Sequence, residues 1–130
     1  MIDKVGGVIL KDKKILVQRK NNGREECIIP GGKREGSETD FETLQRELME
    51  ELSVRLIDTE YLGTYQDIAV FSNQSLQVIT YLVKIEGETQ CNNEIKEALW
   101  IDKNYKELGI KVGSILGEYV IPELIKRDLM

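Results

Sequence analysis

Residues 30–54 read PGGKREGSETDFETLQRELMEELSV, and their second half carries a helical period. Phe41, Leu44, Leu48 and Leu52 recur at spacings of three and four, which places them on one apolar stripe of an α-helix over 40–52. Thr39 reads as the N-cap, with Glu42 three residues on as its capping-box partner. Glu47, Glu50 and Glu51 stand at i, i+3 and i+4, so they share a helix face. That face is expected to one side of the stripe, with no Lys or Arg between the three. Like charges one turn apart repel by about 0.2–0.5 kcal/mol on an isolated helix. A hard divalent cation turns the repulsion into coordination, and Mg²⁺ characteristically sits on one or two carboxylates plus substrate phosphates. By spacing alone, a solvated acidic helix surface is the favoured reading.

Working outward, residues 4–10 are extended in character, Lys11 to Lys14 form a polar turn, and Ile15 to Arg19 return as a strand. Asn21-Asn22-Gly23 signals a loop, and Cys27-Ile28-Ile29 reads as a short strand ended by Pro30. Beyond the helix, 54–70 and 75–86 read as two long strands joined by a hairpin at Ser72-Asn73-Gln74. Ala98 to Ile101 is a further short strand, and 112–128 a C-terminal helix with Pro122 as a kink or break. This order predicts an α/β fold, a mixed sheet with helices packed on it.

The whole chain narrows the chemistry. Its 130 residues suit one domain, 1–130. A formal net charge of −5 argues against nucleic-acid binding driven by counterion release. No apolar run is long enough to span a bilayer, and the first residues lack the pattern of a secretory signal, so a cytoplasmic location is expected. Cys27 and Cys91 form no CxxC pair and read as two free thiols. The chain has no histidine, which excludes Ser-His, Cys-His and His-ligated metal chemistry. Acid–base work is left to carboxylates, Lys, Tyr or Cys.

Gly32, Glu38, Arg46-Glu47-Leu48, Glu50-Glu51 and Val54 follow the spacing G-x5-E-x7-R-E-U-x-E-E-x-G-U, where U is apolar. This resembles the box of the MutT-like Nudix hydrolases; the one departure is Ser53, where that family usually has Gly. The resemblance implies a Nudix-type α/β/α sandwich with a mixed β-sheet. It implies Glu47, Glu50, Glu51 and the backbone carbonyl of Gly32 as ligands of Mg²⁺, with Mn²⁺ an alternative, and Glu38 and Arg46 as a structural ion pair. The implied activity is metal-dependent hydrolysis of a phosphoanhydride in a nucleoside diphosphate linked to another moiety. Two glutamates compete as proton acceptor: Glu47, close to the metal by motif, and Glu94, where some family members carry a loop glutamate; Glu97 stands behind them. Arg19 is similar to an arginine that family members turn toward substrate. Tyr65, Phe71 and Tyr81 are candidates to stack on a base, with core packing as their other fate. Ala69 stands where ADP-ribose enzymes of the family often have proline, which leaves nucleoside triphosphates, oxidised ones included, as the favoured substrates. The competing function is a nucleotide-binding or regulatory protein without turnover. The expected partner is a small nucleotide, with no nucleic acid and no membrane, and a homodimer is left open.

Overall fold

Strand and helix boundaries follow the sequence pattern closely. The computed structural model describes residues 1–69 and 74–130. Its elements are β1 (Ile2–Val8), β2 (Leu10–Lys11), β3 (Lys14–Lys20), β4 (Gly31–Lys33), α1 (Asp40–Leu52), β5 (Arg55–Ala69), β6 (Gln74–Glu86), β7 (Ile95–Ile101), a π-helical segment (Ile115–Val120) and α2 (Ile121–Lys126). The turn reading for Ser72 and Asn73 and the stacking role of Phe71 fall outside the described residues.

The strands divide between two sheets. One is mixed, in the order β4-β1-β6-β5, with β1 and β6 parallel and the other pairs antiparallel. The second, β2-β3-β7, is antiparallel. Period-2 alternation gives each sheet two apolar faces. On β3, Leu16 joins a buried cluster with Val5, Ile9, Leu44, Leu48, Leu52, Val54 and Leu56, on the α1 side. Its neighbours Ile15 and Val17 belong to a second cluster with Leu116, Val120, Ile121 and Leu124, on the C-terminal helical side. Helices thus cover both faces, the expected α/β/α sandwich. No helix among the described residues is long and apolar enough to cross a membrane, and both cysteines are free thiols, Cys27 buried and Cys91 exposed.

Three local readings need correction. Leu44, Leu48 and Leu52 are fully buried, but Phe41 keeps 42 % of its surface exposed. It points in the direction of the stripe but lies in the first turn of α1. Cys27 and Ile28 make only isolated bridges, to Val112 and Gln18. The strand forms after Pro30 instead: Gly31 has φ +140°, and a Cβ there would strike the carbonyl oxygen of Val5, so glycine is what lets β4 lie against β1. At the C-terminus, the single helix expected over 112–128 is instead a π-helical segment followed by the short α2, and the change falls beside Pro122. This proline stands in the first turn of α2, where the π-helical segment hands over and a missing N–H is tolerated.

Candidate metal and nucleotide site

Helical phase sets the three glutamates apart. At 3.6 residues per turn, seven residues bring Glu51 back to within about 20° of Leu44. Glu51 therefore lies inside the apolar stripe rather than beside it, and it is buried, with 6 % exposure. Glu47 sits at the flank, its side chain 17 % exposed, and Glu50 turns outward at 52 %. Burial pushes the Glu51 carboxyl up to about 7, against hydrogen bonds from the Gly31 N–H and the Gln18 amide that favour the charged form. Burial also raises Glu47, opposed by its contact with Arg46.

The expectation that no basic group stands among these acids also fails. Arg46 Nη1 lies 2.9 Å from Glu47 Oε1 and 3.7 Å from Glu50 Oε2. The same guanidinium donates to both oxygens of Glu38, at 2.8 and 2.9 Å, and to the Lys33 carbonyl. Glu38 is held at about 2 by these bonds. The Glu38–Arg46 pair forms, then, but Arg46 also neutralises part of the acidic face. The capping box is present in full, Glu42 N–H to Thr39 Oγ1 and Thr39 N–H to Glu42 Oε1. At the other end Ser53 takes the left-handed conformation, φ 57° and ψ 37°, that glycine would adopt freely.

The loop before α1 meets the acids through backbone. Gly31 N–H donates to Glu51 Oε1 at 3.0 Å. The Glu47 carboxylate packs so closely on Gly32 that a Cβ at that position would collide with it. Both glycines also line a cavity of about 560 Å³. Its floor is aliphatic, with Val5, Ile28, Ile29, Leu76 and Val78, and Lys4, Lys20 and Arg24 are among its lining. Lys4 is lowered by burial and by Lys20 and Lys33, while Glu51 pulls it back up. A register shift between Arg19 and Lys20 marks the end of β3; such bulges re-aim side chains.

The remaining candidates lie elsewhere. Arg19 is ion-paired with Glu97 and donates to the Glu25 carbonyl at 2.8 Å, and neither Arg19 nor Glu97 lines the cavity. Tyr65 stacks on Tyr119, with ring centroids 5.4 Å apart. Tyr81 meets Tyr61 edge-on and donates to Asp40. Glu94 is exposed, in a turn pinned to the end of α1: Asn92 N–H donates to the Glu51 carbonyl and Asn93 Nδ2 to the Glu50 carbonyl, both near 3.0 Å. Among the described residues no three acidic or sulfur side chains converge closely enough to cage a cation as they stand. The donor set nevertheless fits one. Two carboxylates are drawn out of water beside a glycine backbone, and a hard cation with oxygen ligands relieves that desolvation.

The sequence reading missed Gln18, Lys4 and Lys20. For Gln18 the signal was alternation, since it shares with Leu16 the face turned to α1; the register shift at Arg19/Lys20 breaks that pattern before Lys20. The network Asp3–Arg34–Asp40–Tyr81, which ties the glycine loop to β1, α1 and β6, was also missed.

The chain belongs to the Nudix family: the family model for the NUDIX domain matches residues 2–114. That family is one of hydrolases acting on phosphoanhydrides of nucleotide derivatives, and the general class of chemistry comes with membership. Among solved structures, the chain is similar to the ORF135 protein of E. coli, at 26 % identity and TM-score 0.70, over 95 % of this chain and 86 % of that one. The fold is shared with a NUDIX hydrolase from Nitrosomonas europaea, at 16 % identity and TM-score 0.81, covering 97 % and 89 %. It is shared also with the NUDIX domain of Shewanella oneidensis NrtR, solved in complex with ADP ribose, at 18 % identity and TM-score 0.76, covering 98 % and 88 %. No curated protein matches significantly.

Proposed function

We propose that the chain is a divalent-metal-dependent pyrophosphohydrolase whose substrates are nucleoside triphosphates, oxidised ones included. The observation that carries this is the pairing of Glu47 and Glu51 with the glycine loop. The two acids pack on Gly32 and Gly31, and the same glycines line a cavity that also holds Lys4 and Lys20. Glu47, Glu50, Glu51 and the Gly32 carbonyl would hold Mg²⁺ or Mn²⁺. Such an ion, when bound, lowers the pKa of a water and neutralises charge on phosphate oxygens.

The chain's own groups do the rest. Lys4 and Lys20 draw the phosphates toward the acidic helix and offset a net charge that otherwise repels them. The aliphatic floor excludes water around the nucleoside. Water oxygen bonds to phosphorus, the P–O bond of the anhydride breaks toward the leaving phosphate, and a carboxylate takes the proton. Glu94 is our choice for that carboxylate, held by its turn against the end of α1, with Glu47 as the competitor. A cytoplasmic location completes the reading.

The test is a panel of nucleoside triphosphates, nucleotide sugars and ADP-ribose with Mg²⁺ or Mn²⁺, read by phosphate or pyrophosphate release from the triphosphates and by phosphate freed from the monophosphate products of the others after phosphatase treatment. The expected result is turnover of one or more triphosphates that EDTA abolishes. Nucleotide binding with no turnover of any member would replace this reading with that of a regulatory domain.

A further inference from the structure

Gln18 is out of place by the logic of its strand. It lies within β3 on the face that Leu16 shares, against the leucines of α1, and is fully buried. Its backbone is satisfied on one side by Ile28, with N–H to carbonyl bonds of 2.8 and 2.9 Å in the two directions, and on the other it pairs with Ala98 of β7. An apolar side chain would suit this place. The amide instead donates from Nε2 to Glu51 Oε2 at 2.6 Å. With Gly31 N–H on Glu51 Oε1 at 3.0 Å, both oxygens of that carboxylate are held by donors from different elements. Gln18 Oε1 is buried and, among the described residues, has no hydrogen-bond partner. Buried amide oxygens in folded proteins almost always have a partner, so an orphan beside a carboxylate marks a place where a water or hydrated ion belongs.

We infer that Gln18 is a positioning residue for the metal site: it fixes the Glu51 carboxylate in the orientation that binds the cation, and its Oε1 accepts from water in the site. This rests on the functional reading above. Gln18 touches neither substrate nor reacting atoms; it acts through Glu51. Groups that orient metal ligands in this way typically contribute about 10–100-fold in metal affinity.

The experiment measures binding of Mn²⁺ alone, by loss of the free-ion EPR signal, to wild type, Gln18→Met and Gln18→Asn, with thermal unfolding in EDTA alongside. Methionine keeps the volume and removes the amide. Asparagine keeps the amide but draws it one methylene away from Glu51, which guards against a methionine variant that fails to fold. Mn²⁺ affinity is expected to fall about 10–100-fold in both, with cooperative unfolding in EDTA retained and the midpoint of Gln18→Met somewhat below wild type, because a buried Glu51 oxygen loses its donor. Raising Mn²⁺ should restore most of the hydrolytic rate. If a folded variant binds Mn²⁺ within twofold of wild type, the inference is wrong while the functional reading stands. If wild type binds Mn²⁺, the variants lose it and no nucleotide is hydrolysed, the functional reading fails and the role of Gln18 stands. A wild type that binds no Mn²⁺ overturns both.

Discussion

The guanidinium of Arg46 is shared between Glu38, which it grips through two nitrogens, and Glu47, which it meets at 2.9 Å. One side chain therefore ties the loop before α1 to a proposed metal ligand on it. Because Arg46 holds Glu38 at about 2, below the ordinary 4.5, the sign of its pH dependence follows. The stabilisation is fully present above pH 4.5 and is lost as pH falls toward 2. Urea midpoints of wild type and Glu38→Gln should differ by a constant amount from pH 8 to pH 5 and converge below that. A gap undiminished at pH 2 would show that the ion pair is not its source.

Glu51 has the opposite sign. Burial raises its carboxyl to about 7 in the fold, so between pH 4.5 and 7 the folded state binds more protons than the unfolded one, and metal-free stability falls as pH rises through that window. The loss across that window is on the order of a few kcal/mol. In EDTA at pH 8, Glu51→Gln should be as stable as wild type or more so, and should show a flatter pH profile, while hydrolysis with Mg²⁺ falls by about a hundredfold or more. A destabilised Glu51→Gln protein would show instead that the charge is already balanced without metal.

For the proton acceptor, Glu94→Gln is expected to lower kcat by about a hundredfold or more with Mn²⁺ affinity nearly unchanged. Steady-state kinetics and a metal titration on the same preparation decide it. If Glu94→Gln keeps its rate and Glu47→Gln loses it with metal still bound, the base is Glu47.

Lys4 offers a different split. It lines the cavity and is coupled to Glu51, yet stands on β1, away from the acids' own helix. Lys4→Met should raise KM for triphosphates by about tenfold or more, the usual worth of a charge-assisted bond, and leave Mn²⁺ binding without nucleotide unaffected or slightly tighter. An unchanged KM would remove Lys4 from the phosphate site.

At the end of α1, Ser53 occupies a left-handed conformation, φ 57°, and its hydroxyl accepts from Asn92. Ser53→Val should cost about 1–3 kcal/mol, because a β-branched residue is strained there. For Ser53→Gly, relief of strain is offset by the lost hydroxyl contact and greater freedom of the unfolded chain. Its stability should stay within about 0.5 kcal/mol of wild type. Denaturant unfolding of the two variants checks both.

What the sequence made legible was whatever depends on local pattern. The bounds of α1 and its capping box are set by residues within a few turns of each other, and spacing located them; the Glu38–Arg46 pair came with the Nudix resemblance. The long strands were legible for the same reason. Less visible was anything that depends on which face meets which. The i, i+3, i+4 spacing groups Glu51 with Glu50 on a face beside the apolar stripe, whereas its angle from Leu44 places it within the stripe and in the core. Arg19 was read as facing substrate, but the strand turns it toward Glu97 and leaves Lys20 on the cavity side. Lys4 and Gln18 gave no motif at all; their importance comes from pairings between strands distant in sequence.

The phase of α1 sets two demands in opposition. Leu44, Leu48 and Leu52 require the helix to keep its rotation against the sheet, and that same rotation carries Glu51 into the interior. A combinatorial library of this helix sorted for folding alone would discard Glu51 early, since glutamine, methionine or leucine fits the interior better than a carboxylate. A library sorted for growth or turnover should retain it. The difference in amino-acid frequencies at position 51 between the two sorts would therefore measure how much stability the molecule forgoes for its chemistry.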